Sequence, residues 1–333
     1  MATPSVQSIT RQVEAAEISQ AERRPSTPPE APIQGLECLP FDPPDPAQLS
    51  AIPRYLFRAY SPHSLGSTDE TWVRSRDVKA GHENASKDIF QTTPRQSTAR
   101  GIADHLNWAK DERKDNLMSW TSSLLFAVHL VLYRQAKRKD ATKRDGSAMS
   151  DIKICIIDTT LLPDRTFIRD MDLINAFKAN HQNLRSLHDL RTGRRGPGTY
   201  YFCEYLSQGS LNVGGKCQIV SAEAMMKSGL LSLQTEFTSA YQNAECGWAE
   251  EVRRVRKTFQ GEGTATLDPE QIKVAIRIAQ LFGPMWRLPV AISLVALLPG
   301  RIDADEIKTA FSHRGDFNGM ISFACFTSRY ATR

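Results

Sequence analysis

The chain has 333 residues, with 42 Lys and Arg against 37 Asp and Glu and a net charge of +5. It is longer than the roughly 100–200 residues of a usual single domain, so one large domain with a tail, or two unequal domains, is expected. The near balance of charge supplies no whole-molecule field of the kind that marks a nucleic-acid binder. Six scattered cysteines (Cys38, Cys155, Cys203, Cys217, Cys246, Cys325) with no C-x-x-C pair exclude a thiolate zinc ribbon and point to a reducing, intracellular setting, cytoplasmic or nuclear.

Residues 1–50 are rich in Pro, Ser, Thr, Glu and Gln and read as a disordered tail without a secretory signal. Its Ser26-Thr27-Pro28 is either a phosphorylation site or ordinary solvated linker. Residues 54–60 (RYLFRAY) read as a strand ended by Ser61-Pro62. Residues 97–110 carry Ile102, Leu106 and Trp108 or Ala109 at helical spacing behind a Ser or Thr cap, and the polar turn DERKDN follows. Residues 117–121 suit a short strand, after which Ser122 or Ser123 caps a long helix with a wide apolar face.

The charged loop at 137–147 precedes a continuous apolar run at 152–158 that suits a central strand. A capped helix is expected over 170–179, then a helix and a Gly/Pro-rich loop over 181–198, and strands at 200–206 and 216–220. Gly214-Gly215-Lys216 is expected to form a hairpin turn. The last third reads as helical, with Asp268-Pro269-Glu270-Gln271 as a strong helix start. Its most apolar window, residues 288–298, has about half the length needed to cross a bilayer and reads as a buried helix.

Three patches carry chemistry: Arg58 on the first strand, the Ser/Thr cluster Ser119, Thr121 and Ser122, and Glu204 in a later apolar strand. A guanidinium offers five fixed donors for phosphate or ribose oxygens. Hydroxyls shape a polar pocket, and a carboxylate among Tyr205 and Leu206 is costly to bury without a partner or a function. Each has a plainer reading: an exposed strand arginine, a serine that only caps the following helix, a strand-edge glutamate in solvent. Asp158, Asp170 and Asp172 are set aside as a metal site, Asp170 as a helix cap, and His105 and His129 as half-buried helix histidines. The basic runs at 137–144 and 253–257 have acidic neighbours and read as solvated surface.

Taken together, RYLFRAY, MSWTSSLLFAVH and YYFCEYLSQG resemble, over residues 54–226, the Arg–Ser–Glu core of the cholera-toxin-like ADP-ribosyltransferases. That resemblance implies an α+β fold built on a split antiparallel sheet, with NAD as substrate. It implies catalytic roles for Arg58, Ser122 and Glu204 and cofactor contacts from Arg58, Ser119, Thr121, Ser122 and His129, all on one cleft. Trp120 stands where the family has the first serine of its Ser-Thr-Ser motif, and Phe202 where arginine-modifying members have a second glutamate. More closely, residues 54–298 resemble an uncharacterised domain of fungal proteins through NLMSWTSSLLFA, FIRDMDLI and EYLSQGSL.

The expectation is therefore a tail at 1–50, an ADP-ribosyltransferase-like α+β domain at 51–228 and a helical region at 229–333. Transfer of ADP-ribose to a macromolecular acceptor, expected to be protein, or hydrolysis of NAD, is the expected function, with no metal and no membrane partner. The alternative is an interaction module of the same fold that has lost catalysis.

Overall fold

The computed structural model describes residues 37–108, 114–135, 146–193, 203–234, 236–238, 248–258 and 268–298, and positions 305, 307, 309 and 311. Expectations placed on residues 1–36, on the basic run at 137–144, on the loop after Gly193, on Phe202 and on the chain beyond Phe311 lie outside the described residues.

Among those residues, nine strands form one antiparallel sheet: β1 (Cys38–Leu39), β2 (Tyr55–Tyr60), β3 (Ser67–Thr68), β4 (Trp72–Arg74), β5 (Leu117–Thr121), β6 (Lys153–Asp158), β7 (Ile168–Arg169), β8 (Glu204–Asn212) and β9 (Cys217–Ser221). Their order is β3-β4-β8-β5-β2-β6-β9, with β1 and β7 also pairing along β8. The helices are α1 (Arg76–Lys79), α2 (Arg95–Leu106), α3 (Leu124–Gln135), α4 (Asp170–Phe177), α5 (Gln182–Thr192), α6 (Ala222–Lys227), α7 (Leu230–Leu233), α8 (Trp248–Thr258), α9 (Pro269–Ala279) and α10 (Pro284–Val295). The fold is mixed α+β with a curled antiparallel sheet, and none of the described helices is long and apolar enough to cross a membrane.

Three sequence expectations need correction. The prolines of residues 37–49 assign that segment to the tail, yet Cys38 pairs with Leu211 and Phe41 is fully buried. Two strand residues and one aromatic suffice to tie a Pro-rich segment to a sheet edge. Strand β8 runs past its expected end at Leu206 to Asn212, because its polar residues are buried and bonded: Gln208 Nε2 donates to Asp88 Oδ1 at 2.7 Å, and Ser207 Oγ accepts from the Trp120 indole at 2.8 Å. Polarity hid the strand.

The glycine turn after β8 is not a hairpin. Strands β8 and β9 are four places apart in the sheet, which in a flat sheet would separate them by about 19 Å. The turn at 213–216 closes with Lys216 N–H donating to Val213 O at 2.9 Å, and Gly215 takes φ +71°. A turn closed in this way brings its first and last Cα within about 7 Å, so the sheet curls back on itself to let the strands join.

The sheet also divides. Strand β2 pairs with β6 from Tyr55↔Asp158 to Tyr60↔Lys153, and β5 pairs with β8 from Leu117↔Gln208 to Thr121↔Glu204. Between β2 and β5 the register holds a single pair, Phe57↔Thr121. Beyond that pair the two blocks diverge, and the carbonyls along the opening need partners other than a strand.

Apolar side chains fill three clusters around this frame. One joins Phe57, Ile154, Ile156 and nearly all of α3 to the later helices, through Leu233, Val252, Ile276, Trp286 and Leu294. The expected boundary at 228/229 is therefore not a break in the core. Helix α9 starts as its sequence indicated, with Asp268 accepting from Glu270 N–H at 3.0 Å and Pro269 in the first position. A second cluster packs α2, α4 and α5 on the β5–β8 face through Ile102, Leu106, Ile174, Leu187, Leu117 and Leu206. The third holds Trp120, Met118, Leu56 and Tyr205 on the other face.

Candidate active site

A cavity of about 520 Å³ opens where β2 and β5 part, and Arg58, Ser119, Thr121, Glu204, His105, Asp115, Tyr133 and Arg134 are among its lining. Strand alternation explains who faces what. Thr121 stands opposite both Phe57 and Glu204, so Ser119, Thr121 and Glu204 share one face. Arg58, next to Phe57, leaves from the other. The opening between the strands is what lets Arg58 and Glu204 border one space.

Arg58 crosses that opening. Its Nη1 donates to Ser119 O at 2.8 Å and its Nε to Thr68 Oγ1 at 3.2 Å, and its guanidinium lies 5.8 Å from the centre of the Trp120 ring. The carbonyl that the divided ladder leaves over is thus capped by a cation. Desolvation, and then the neighbouring Arg134 guanidinium, draws the Arg58 pKa down to about 10. Both hydrogen-bond acceptors are neutral, so a positive charge faces the cavity with no carboxylate bonded to it among the described residues, which suits an anionic ligand.

Glu204 is 4% exposed, which excludes the solvated strand-edge reading. Its Oε2 accepts from Arg191 Nη2 at 3.0 Å, and Arg191 also pairs with Asp170. Asp170 is therefore the buried partner of an arginine, at the first position of α4 and not its cap. The two carboxylates considered with it lie in other arrangements: Asp158 pairs with Arg54 at 3.0 Å, and Asp172 accepts from Ser50 N–H and Oγ–H at 2.7 and 2.9 Å.

The hydroxyl cluster is sorted by register. Ser123, not Ser122, caps α3, its Oγ accepting from Phe126 N–H at 3.2 Å. Ser122 donates its N–H to Cys203 O at 3.1 Å and is not among the cavity residues. His129, 3% exposed, is enclosed on α3 and also stands outside the lining. Of the expected set, the structure gathers Arg58, Ser119, Thr121 and Glu204, and leaves Ser122 and His129 aside.

The sequence reading sets His105 aside as a half-buried helix histidine and leaves Asp115 in a polar turn, and the structure joins them at the site. Helix α2 ends at Leu106 and brings His105 over β5, where Nδ1 meets both Asp115 oxygens at 2.8 and 2.9 Å and Nε2 meets Ser119 Oγ at 2.8 Å. Burial disfavours the imidazolium, but the charge and hydrogen bond of Asp115, with the charge of Glu204, outweigh it and raise the His105 pKa above its ordinary value. Nothing in the spacing of residues 105, 115 and 119 signals this chain, because a loop and not a repeat brings them together.

Residues 51–200 match one family. Its description is Domain of unknown function (DUF7587). The match takes in Arg58, His105, Asp115, Ser119 and Arg191, stops short of Glu204, and covers fewer than half of the 333 residues. No curated protein and no solved structure was found to match the chain.

Proposed function

We propose that the protein binds NAD in the divided-sheet cavity and transfers ADP-ribose to a macromolecular acceptor inside the cell, most simply a protein, or hydrolyses NAD. The observation that carries this reading is the joint lining of one cavity by Arg58, Ser119, Thr121 and Glu204. Cleavage of the nicotinamide–ribose bond builds positive charge on the ribose, so the site needs a cation for the phosphates and a carboxylate near the sugar. Arg58 supplies the first. Glu204 supplies the second: its Oε2 is held by Arg191, and its Oε1 makes no hydrogen bond among the described residues, which leaves it to a ribose hydroxyl.

The family resemblance read from the sequence adds the split antiparallel sheet, and the opening between β2 and β5 fits that expectation. Ser119 is the candidate for the role of the serine displaced by Trp120, since register puts Ser119 and not Trp120 on the same face as Glu204. A second reading is favoured by Arg191, which neutralises the carboxylate the chemistry would use: an NAD-binding or interaction module without turnover.

The test uses the full chain and NAD labelled in the nicotinamide. Release of nicotinamide is expected, and Glu204→Gln should slow it on the order of 100-fold or more while NAD binding survives. The fold should survive too, because the amide oxygen can still accept from Arg191 and Asp170 still pairs with it. Binding without release would leave the second reading. A calorimetric titration with no NAD binding would remove both NAD readings.

A further inference from the structure

The hydrogen-bond chain Asp115–His105–Ser119 goes beyond the NAD reading. A carboxylate can only accept, so His105 Nδ1 carries the proton shared with Asp115. In the neutral imidazole Nε2 is then an acceptor, and Ser119 Oγ–H donates to it at 2.8 Å. Nucleophile, base and base-orienting carboxylate stand in sequence, each within hydrogen-bond reach of the next, as nucleophilic catalysis requires. All three border the 520 Å³ cavity.

We propose that Ser119 is a catalytic nucleophile for acyl transfer, with His105 as its general base and Asp115 as the positioning residue that fixes the imidazole. Ser119 Oγ attacks the carbonyl carbon of an ester while Nε2 takes the hydroxyl proton. The tetrahedral intermediate collapses, the C–O bond to the alcohol breaks, and the imidazolium returns that proton to the departing oxygen. Water, deprotonated in turn by His105, then hydrolyses the acyl-serine to the free acid. Ester and water give acid and alcohol, so no further reactant is needed.

Arg58 is placed to serve the oxyanion. Two of its five N–H donors are used, on Thr68 and on the backbone carbonyl of Ser119 itself, so three remain on a guanidinium tied to the nucleophile's own residue and lining the same cavity. The same guanidinium, with Arg134 near it, favours esters that carry a negative charge. Phe57, Trp108, Phe126, Leu130 and Tyr133 give the rest of the cavity an apolar wall for the acyl chain.

The probe is a fluorophosphonate reporter, which phosphonylates activated serines, applied to the full chain with the modified peptide identified by mass spectrometry. Labelling is expected at Ser119 and lost in Ser119→Ala. His105→Gln should slow it at least about 1,000-fold, and Asp115→Asn on the order of 100-fold or more. The wild-type rate should rise with pH through a pKa above the ordinary value of about 6.5, set by His105 among Asp115, Glu204 and Arg58, and this inflection should vanish in His105→Gln.

A histidine that merely tied α2 to β5 would leave folded protein unlabelled. That outcome, or equal labelling of Ser119→Ala, overturns the proposal. Should Ser119→Ala fail to fold, Ser119→Cys replaces it: alkylation of its thiol by iodoacetamide should fall when His105→Gln is added, and an unchanged rate overturns the proposal as well. The NAD reading fails separately. Labelling at Ser119 without nicotinamide release supports acyl transfer alone, whereas release without labelling overturns the serine and keeps the NAD reading. Shielding of Ser119 by NAD supports both.

Discussion

Arg191→Met is expected to lower the stability of the protein by about 3–5 kcal/mol, because it strands two buried carboxylates at once. Arg191, Asp170 and Glu204 have side chains 5, 0 and 6% exposed, so solvent cannot take over the role of the guanidinium. Arg191→Lys should fall between the wild type and Met, since one ammonium cannot present a planar fork to two carboxylates. Chemical denaturation of the full chain reads both. A Met variant within about 1 kcal/mol of wild type, the range of exposed ion pairs, would mean that water reaches the cluster. The arrangement also shows why Glu204 can be placed against apolar strand neighbours at all: α5 delivers its counter-charge from behind the sheet.

Trp120→Ser is expected to cost about 3–5 kcal/mol, the range for emptying a buried tryptophan site, and to restore no activity. By sequence Trp120 occupies a serine position of the resembled motif, which makes the substitution look like a repair. In the structure the ring is 1% exposed, packs edge-on against Phe167 at 5.5 Å, and bonds Ser207 through its indole. It is also the floor on which Arg58 lies. Removing it leaves Ser207 without its donor and lets the guanidinium drop from the opening. Urea midpoints for the variant within about 1 kcal/mol of wild type, well inside the cavity-forming range, would show that the ring contributes little to packing.

Much of the frame was legible because it rests on local rules. The aromatic alternation of YLFRAY and the apolar run of KICIID give β2 and β6, and the Asp-Pro start gives α9. What escaped rests on distant partners. Ser207 and Gln208 fall past the expected strand end because their buried hydrogen-bond partners, Trp120 and Asp88, are distant in sequence, and the Gly214-Gly215 turn reads as a hairpin unless the curl of the sheet is known. At the site, Glu204 was legible as a carboxylate costly to bury among apolar neighbours, and Arg58 as a strand guanidinium able to meet an anion. Ser122 and Ser123 could not be separated, since only register and capping geometry decide which of two adjacent serines does what. His105 was set aside, and Asp115 and Arg191 passed over, for the same reason: their roles are tertiary, and each is an ordinary polar residue on its own helix or loop.

The single Phe57↔Thr121 rung between two otherwise well-laddered blocks has a mechanical meaning. The ligand proposed for the opening would take the place of the missing rungs, between Arg58 on one block and Ser119 and Glu204 on the other. Such a ligand would be a keystone: the contacts that held it would also hold the halves of the sheet together, and the protein's cohesion would gauge whether its cleft is filled.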